Sequence, residues 1–443
     1  MARLIKHATL VNEGKLYVSD LRIENQYIAE IGPDLSAKPN ETVIDAKGMW
    51  LMPGMIDDQV HFREPGLTHK GSIASESAAA AAGGITSFME MPNVSPSTTT
   101  RQALADKQTI AQRDSVANYA FYLGATPDNL DEIKAVDPRQ VCGVKVFMGA
   151  STGDLLVEHP AALDAIFREC PTLIATHCEQ GSVIQQNNAR IEQQYGTPQI
   201  IHHPMIRDDE ACYQSSSYAV ALAKKYRTQL HVLHLTTAKE LSLFSTAPLA
   251  EKHITAEACV HHLWFNEQDY PALGNLIKCN PAIKAESDRL ALLKALHDGR
   301  IDIIATDHAP HTWQEKNVPY PQAPAGLPLV EHALLTLMEQ VKRGAMTLEQ
   351  VVEKTAHNVA TRFAIDKRGF LREGYFADLV LVDPNHATHV QHEQTRYLCK
   401  WSPFHNTTFS HQIRATFVNG AMVFDGDKVN TEHNAAQALR FNR

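Results

Sequence analysis

The sequence predicts an α/β protein: a parallel (β/α)8 barrel carrying a small β-sandwich domain built from both chain ends. Three observations predict it. From Gly54 to about Gly369 short apolar runs alternate with helical stretches, giving about eight βα units. Both ends of the chain read instead as short strands broken by turn residues. The apolar runs of the middle region also repeatedly finish in His, Lys or Asp, as the rim of a barrel active site requires.

The elements follow in order. Residues 1–53 contain "LIKHATLV", "LYVSDLRIEN", "YIAEIG" and "TVIDAKGMWLMP", separated by Asn, Glu and Gly. Residues 370–443 contain "ADLVLVD" and "IRATFVNGAMVFDG", with Asn419-Gly420 favouring a two-residue hairpin. These segments are expected to form one small domain, with the barrel, 54–369, inserted between them. There "ITSFMEMP", "NYAFYLGA", "CGVKVFMGAS", "TLIATHCE", "QLHVLHLTT", "HITAEACVHHL" and "DIIATDHAPH" read as strands. The helical partners include "SIASESAAAAAGG", "SSSYAVALAKKY", "DRLALLKALHDG" and "LVEHALLTLMEQVKR". The stretch "TWQEKNVPYPQAPAG", 312–326, reads as a long loop rather than a helix, placed to cover the rim as a lid.

Composition narrows the function classes. With 443 residues, 44% hydrophobic and 21% charged, the chain can bury a large core. A net charge of −9 argues against nucleic acid or an anionic membrane as partner. The opening "MARLIKHATLVNEGKLYV" lacks the apolar run of a signal peptide, and no segment reaches the roughly 18 apolar residues of a membrane span. The seven cysteines (142, 170, 178, 212, 259, 279 and 399) are scattered without a Cys-x-x-Cys, so a disulfide framework is not expected and a reducing cytoplasm fits.

Histidine, at 23 residues, is abundant, and its placement matters. "MIDDQVH" ends at His61, "GVKVFM" carries Lys145, "LIATH" ends at His177, "HVLHL" carries His234 and "DIIATDH" carries Asp307. A lone His after a strand is usually a cap or a core residue. A Lys within an apolar strand is costlier, because a buried ammonium needs a partner. Two explanations stay open for Lys145: carboxylation to a metal-bridging carbamate, or an ion pair with a neighbouring acid. Taken jointly, the five residues point to a metal site on the barrel rim.

The motifs "PGMIDDQVHFREPG", "MEMPNVSPST", "GVKVFMGAS", "HVLHLTTAKEL", "KCNPAIK", "DIIATDHAPH", "GYFADLVLVDP" and "WSPF" together resemble those of the amidohydrolase superfamily, and within it the dihydroorotases. The resemblance runs the whole length of the chain. It implies Zn2+ as cofactor, one or two ions per chain, with manganese or cobalt also compatible with the ligands. It implies that His61 ligates the first ion, that Lys145 as an N6-carboxylated lysine bridges the ions, and that His177 and His234 hold the second. Asp307 would ligate the first ion and act as catalytic proton shuttle. Arg63, Asn93 and His311 would bind the substrate carboxylate, and Asn280 the pyrimidine ring. Arg63 also stands on its own chemistry, a planar fork suited to a carboxylate. The implied substrates are dihydroorotate and N-carbamoyl-aspartate, and the implied assembly is a homodimer.

Gln59 departs from the family, which has a histidine there. The first ion then keeps His61, the carbamate and Asp307, or binds only at high metal concentration, or the site is dead. Because the other ligands remain, an active enzyme is expected, with Gln59 near the first ion as a weak or absent ligand. Alternatives are a hydantoinase or allantoinase, or a metal-poor partner of aspartate transcarbamoylase. His202, His203, His261, His262 and His308 are expected to play supporting roles. Cys178 should point away from the site into the wall.

Overall fold

The computed structural model describes residues 2–149, 155–431 and 435–443. Ala150 and Ser151, the end of the "GVKVFMGAS" motif, lie outside the described residues. Eight parallel strands, each beside its predecessor in sequence, form the barrel: Met55–Val60, Ile85–Glu90, Asn118–Gly124, Gly143–Met148, Ile174–Cys178, Leu230–Val232, Ile254–Cys259 and Ile303–Ala305. Apart from Ile254 every residue in them is buried. That explains the near-continuous apolar runs, since helices cover one face of each strand and the barrel interior the other.

Closure of the barrel depends on polar residues. On the first strand, the Asp57 carboxylate accepts from the Thr306 backbone N–H at 3.1 Å and from its hydroxyl at 2.6 Å, just after the eighth strand. His61 N then donates to His308 O at 2.7 Å. These bonds tie the first and last strands at the level of the rim, where His61 and Asp307 emerge.

Helix Ile73–Ala82 starts at Ser72, whose hydroxyl accepts from Ser75 N at 3.1 Å. Its alanines allow close packing, and Gly83 ends it against the chain at Val330, where a Cβ would lie 2.2 Å from the carbonyl oxygen. Asp208 caps helix Asp209–Tyr226 in the same way. The expected loop 312–326 contains one helical turn, Trp313–Lys316. Thr312 and Glu315 form a reciprocal capping box that overrides the breakers further along.

Strands from the two chain ends form a separate eight-stranded mixed sheet. Ala2–Asn12 pairs antiparallel with Lys15–Glu24 and parallel with both Thr42–Asp45 and Trp50–Pro53. Leu379–Asp383 joins antiparallel to Trp50–Pro53, which brings the ends together. The Asn419-Gly420 turn between Gln412–Val418 and Ala421–Phe424 has φ of 48° and 76°, the left-handed pair a tight hairpin needs. Residues 435–443 leave this sheet for the barrel. Leu439 and Phe441 are buried with Ile56, Tyr122 and Phe363, and Leu439 N donates to Tyr119 O at 2.8 Å.

Candidate metal and substrate site

At the C-terminal rim of the strands a cavity of about 230 Å3 is lined by Gln59, His61, Arg63, Asn93, Lys145, His177, His234, Asn280, Asp307 and His311. The fold therefore brings every residue expected at the site to one place. Arg63, His234 and Asp307 hold left-handed φ of 70°, 40° and 52°. Such values are costly for side chains with a Cβ and cluster where geometry serves function.

Tautomers can be read from the neighbours. His61 Nδ1 donates to Asn93 Oδ1 at 2.6 Å, so Nε2 faces Asp307 Oδ1 at 3.0 Å. His177 Nε2 donates to Glu179 Oε2 at 3.0 Å, which turns its Nδ1 toward His234 Nε2, also 3.0 Å away. A carboxylate behind an imidazole whose other nitrogen points into a cavity is the usual support for a metal-ligating histidine. Glu179 is itself paired with Arg207. Burial would raise its carboxyl, but Arg207 and His177 outweigh that and hold it well below the usual range.

Charge at the site follows from burial. Burial lowers the Lys145 ammonium to about 8, so a sizeable share of the amine is neutral near physiological pH. Its ammonium lies 4.7 Å from the Phe147 ring centroid and makes no hydrogen bond or ion-pair contact among the described residues, while the charges of Asp307 and Glu257 act on it from further off. Burial, then His177 and Lys145, push His234 well below its ordinary value and keep it neutral. Asp307 is raised by burial but brought net below its usual value by His61, His261 and Lys145. Two imidazoles with facing nitrogens, a third imidazole against a carboxylate and a lysine without a hydrogen-bond acceptor among the described residues make a donor set that fits divalent metal ions.

Gln59 is present at the cluster but turned in a specific way. Its Nε2 donates to Asp307 Oδ1 at 3.0 Å, while its Oε1 faces Cys259 Sγ at 3.8 Å. The reverse orientation would set the amide oxygen against the carboxylate. Its metal-capable atom is thus directed away from Asp307.

The same cavity also carries a cation. Arg63 Nε donates to Pro310 O at 3.0 Å, and its Nη2 lies 3.1 Å from His311 Nε2. Burial lowers the guanidinium only to about 10, so it stays charged. Lys70 reaches His311 Nδ1 at 3.2 Å, and burial with Arg63, Lys70 and Lys316 keeps His311 neutral. Asn280 Oδ1 is buried without a hydrogen-bond donor among the described residues. Asn93, expected as a carboxylate contact, lines the cavity with its oxygen engaged by His61.

Several functional neighbours escaped the sequence reading. Glu179 lies two residues after His177, on the same side of an extended chain, and that spacing was the available signal. Lys316, in the unexpected helical turn, donates to Lys278 O, Pro324 O and Gly326 O at 3.2, 2.9 and 3.0 Å. It thereby straps Pro324–Gly326 over the cavity. Trp401 of "WSPF" donates from Nε1 to His311 O at 2.7 Å. Among the supporting histidines, His308 Nε2 meets Glu76 at 2.9 Å and His203 bonds Tyr320 and Cys279 O. Cys178 is buried in the barrel wall, its thiol pushed up to about 11 by burial.

The rim of the barrel thus gathers these donors at one cavity, with a separate sheet built from the chain ends beside it. The amidohydrolase family model matches residues 50–423, and the chain belongs to that family. It is 34% identical to a dihydroorotase of Halobacterium salinarum over 437 residues, covering 96% of this chain and 97% of that one. It is 32% identical to a dihydroorotase of Bacillus subtilis (96% and 99% covered) and 31% identical to an allantoinase of Solibacter usitatus (99% and 96% covered). Among solved structures, L-hydantoinase (dihydropyrimidinase) of Arthrobacter aurescens superposes with a TM-score of 0.93 at 26% identity, with 99% of each chain covered.

Proposed function

We propose that the protein is a dihydroorotase, catalysing the reversible hydrolysis of the cyclic amide of (S)-dihydroorotate to N-carbamoyl-L-aspartate in pyrimidine synthesis. The observation that carries this reading is the charged Arg63 guanidinium beside His311, lining the same small cavity as the metal-ligand cluster. A ring bearing a carboxylate meets both needs: the cation takes the carboxylate and the cluster takes the amide.

His61, Lys145, His177, His234 and Asp307 would hold zinc, one or two ions, with Lys145 carboxylated through its neutral amine. Bound zinc supplies a polarised amide carbonyl and an acidified water. The remaining work belongs to the chain. Arg63 and His311 fix the carboxylate, and Asn280 Oδ1 accepts from a ring N–H. Asn93 and Glu179 lock the tautomers of His61 and His177. The Asp307 carboxylate takes the proton of the attacking water and delivers it to the ring nitrogen as the C–N bond breaks. The strap at Pro324–Gly326 acts as a lid that keeps bulk water out.

The hydantoinase and allantoinase relatives define the rival reading. Dihydrouracil, the same ring without the carboxylate, separates the two. Arg63→Ala should abolish most hydrolysis of dihydroorotate and leave any hydrolysis of dihydrouracil unchanged. Equal loss on both substrates, or none on either, contradicts the assignment.

A further inference from the structure

One layer below the rim, the barrel interior holds a second group of ligand-type side chains. Asp58 on the first strand, His231 on the sixth and Glu257 on the seventh are fully buried, and their donor atoms lie within 4.8 Å of one another. None of them lines the cavity described above. His231 Nδ1 lies 2.8 Å from Thr255 Oγ1, and the Thr255 hydroxyl donates onward to Leu230 O. The threonine oxygen therefore accepts from Nδ1–H, and Nε2 points into the group.

What it meets there is negative. Asp58 Oδ2 lies 3.1 Å and Glu257 Oε2 3.5 Å from Nε2. Burial lowers the His231 imidazolium, but these two carboxylates outweigh it and raise it to about 9. Both Asp58 oxygens and Glu257 Oε2 lack any hydrogen-bond donor among the described residues. The other oxygen of Glu257 is satisfied by His234 N at 3.1 Å and Cys259 Sγ at 3.3 Å. Two ionised carboxylates beside one imidazole would be neutralised by a single divalent cation.

The geometry points to a divalent transition-metal ion bound by Asp58, His231 and Glu257, at a structural site distinct from the rim. The other ligands of an imidazole-bound ion sit beside the lone-pair axis of its nitrogen rather than on it. Bonds of about 2.1 Å in tetrahedral or octahedral arrangement put neighbouring ligand atoms roughly 3.0–3.4 Å apart, close to the spacings found. One nitrogen and two oxygens suit zinc, manganese or iron(II) rather than the oxygen-preferring magnesium or calcium. Such an ion would enter during folding and would cross-link three strands from inside.

The test uses the full chain and does not depend on the substrate assignment. Protein purified with zinc is treated with dipicolinate to strip exposed metal, and the remaining zinc is counted. About one ion per chain should persist, and Asp58→Asn should lose it. Crystals of the unaltered protein, measured at the zinc absorption edge, provide the decisive second reading. An anomalous peak among Asp58, His231 and Glu257 supports the proposal, even if the variant does not fold. Peaks at the rim alone, or retained zinc that Asp58→Asn does not release, overturn it.

Discussion

Gln59 gives its amide N–H, not its amide oxygen, to Asp307: Nε2 and Oδ1 are 3.0 Å apart. A residue standing where the family has a metal ligand is thus oriented as a hydrogen-bond donor to the proposed proton shuttle. Donation to a carboxylate is worth about 1.5–3 kcal/mol. Gln59→Leu should therefore lower kcat roughly ten- to a hundredfold, with metal content per chain unchanged. A loss of bound metal in that variant would show that Gln59 acts as a ligand instead. Gln59→His should tighten binding of the first ion, measurable by competition with a chelating dye.

Glu179 orients His177 from behind at 3.0 Å. Removing such a support usually costs 10–100-fold in metal affinity. Glu179→Gln keeps the shape but weakens the acceptor, and should fall in about that range by equilibrium dialysis with zinc. Unchanged affinity would mean that the pair serves only to neutralise Arg207.

Arg63 makes one contact through Nε and another through Nη2. Lysine cannot reproduce that fork. Arg63→Lys should raise KM for dihydroorotate by roughly ten- to a hundredfold, the cost of a lost charged hydrogen bond, and leave zinc content intact. A KM within twofold of the parent would remove Arg63 from the substrate.

Lys316 predicts a pH dependence of stability. Burial lowers its ammonium from 10.5 to about 7. Between those values the unfolded chain holds a proton that the folded chain has released. Stability contributed through this group therefore rises with pH from about 7 toward 10.5. Against Lys316→Met as reference, denaturant melts at pH 6.5, 8 and 9.5 should show the parent gaining. A flat difference would mean that the three carbonyl acceptors keep the lysine charged when folded.

Much of this site was legible in the sequence because strand ends on a barrel converge by construction. "DQVHFREPG" and "ATDHAPH" each place ligand types at the end of an apolar run, and His61, Arg63 and Asp307 meet as that pattern requires. The Asn419-Gly420 hairpin was equally readable, since few other dipeptides accept two left-handed residues. What stayed hidden depends on contacts between distant segments. The rotation of the Gln59 amide is set by Asp307, 248 residues away. The strap made by Lys316 depends on carbonyls at Lys278 and Gly326. The capping box at Thr312 and Glu315 was visible but outweighed by three nearby prolines. Asp58, His231 and Glu257 lie on apolar strands where single polar residues read as incidental.

The central claim is tested most directly by assaying dihydroorotate hydrolysis against measured zinc content in one titration. Hydrolysis should rise with bound zinc and saturate at one or two ions per chain, with hydantoin and allantoin turned over far more slowly. Full zinc loading without dihydroorotate hydrolysis, or a preference for hydantoin or allantoin, would contradict it.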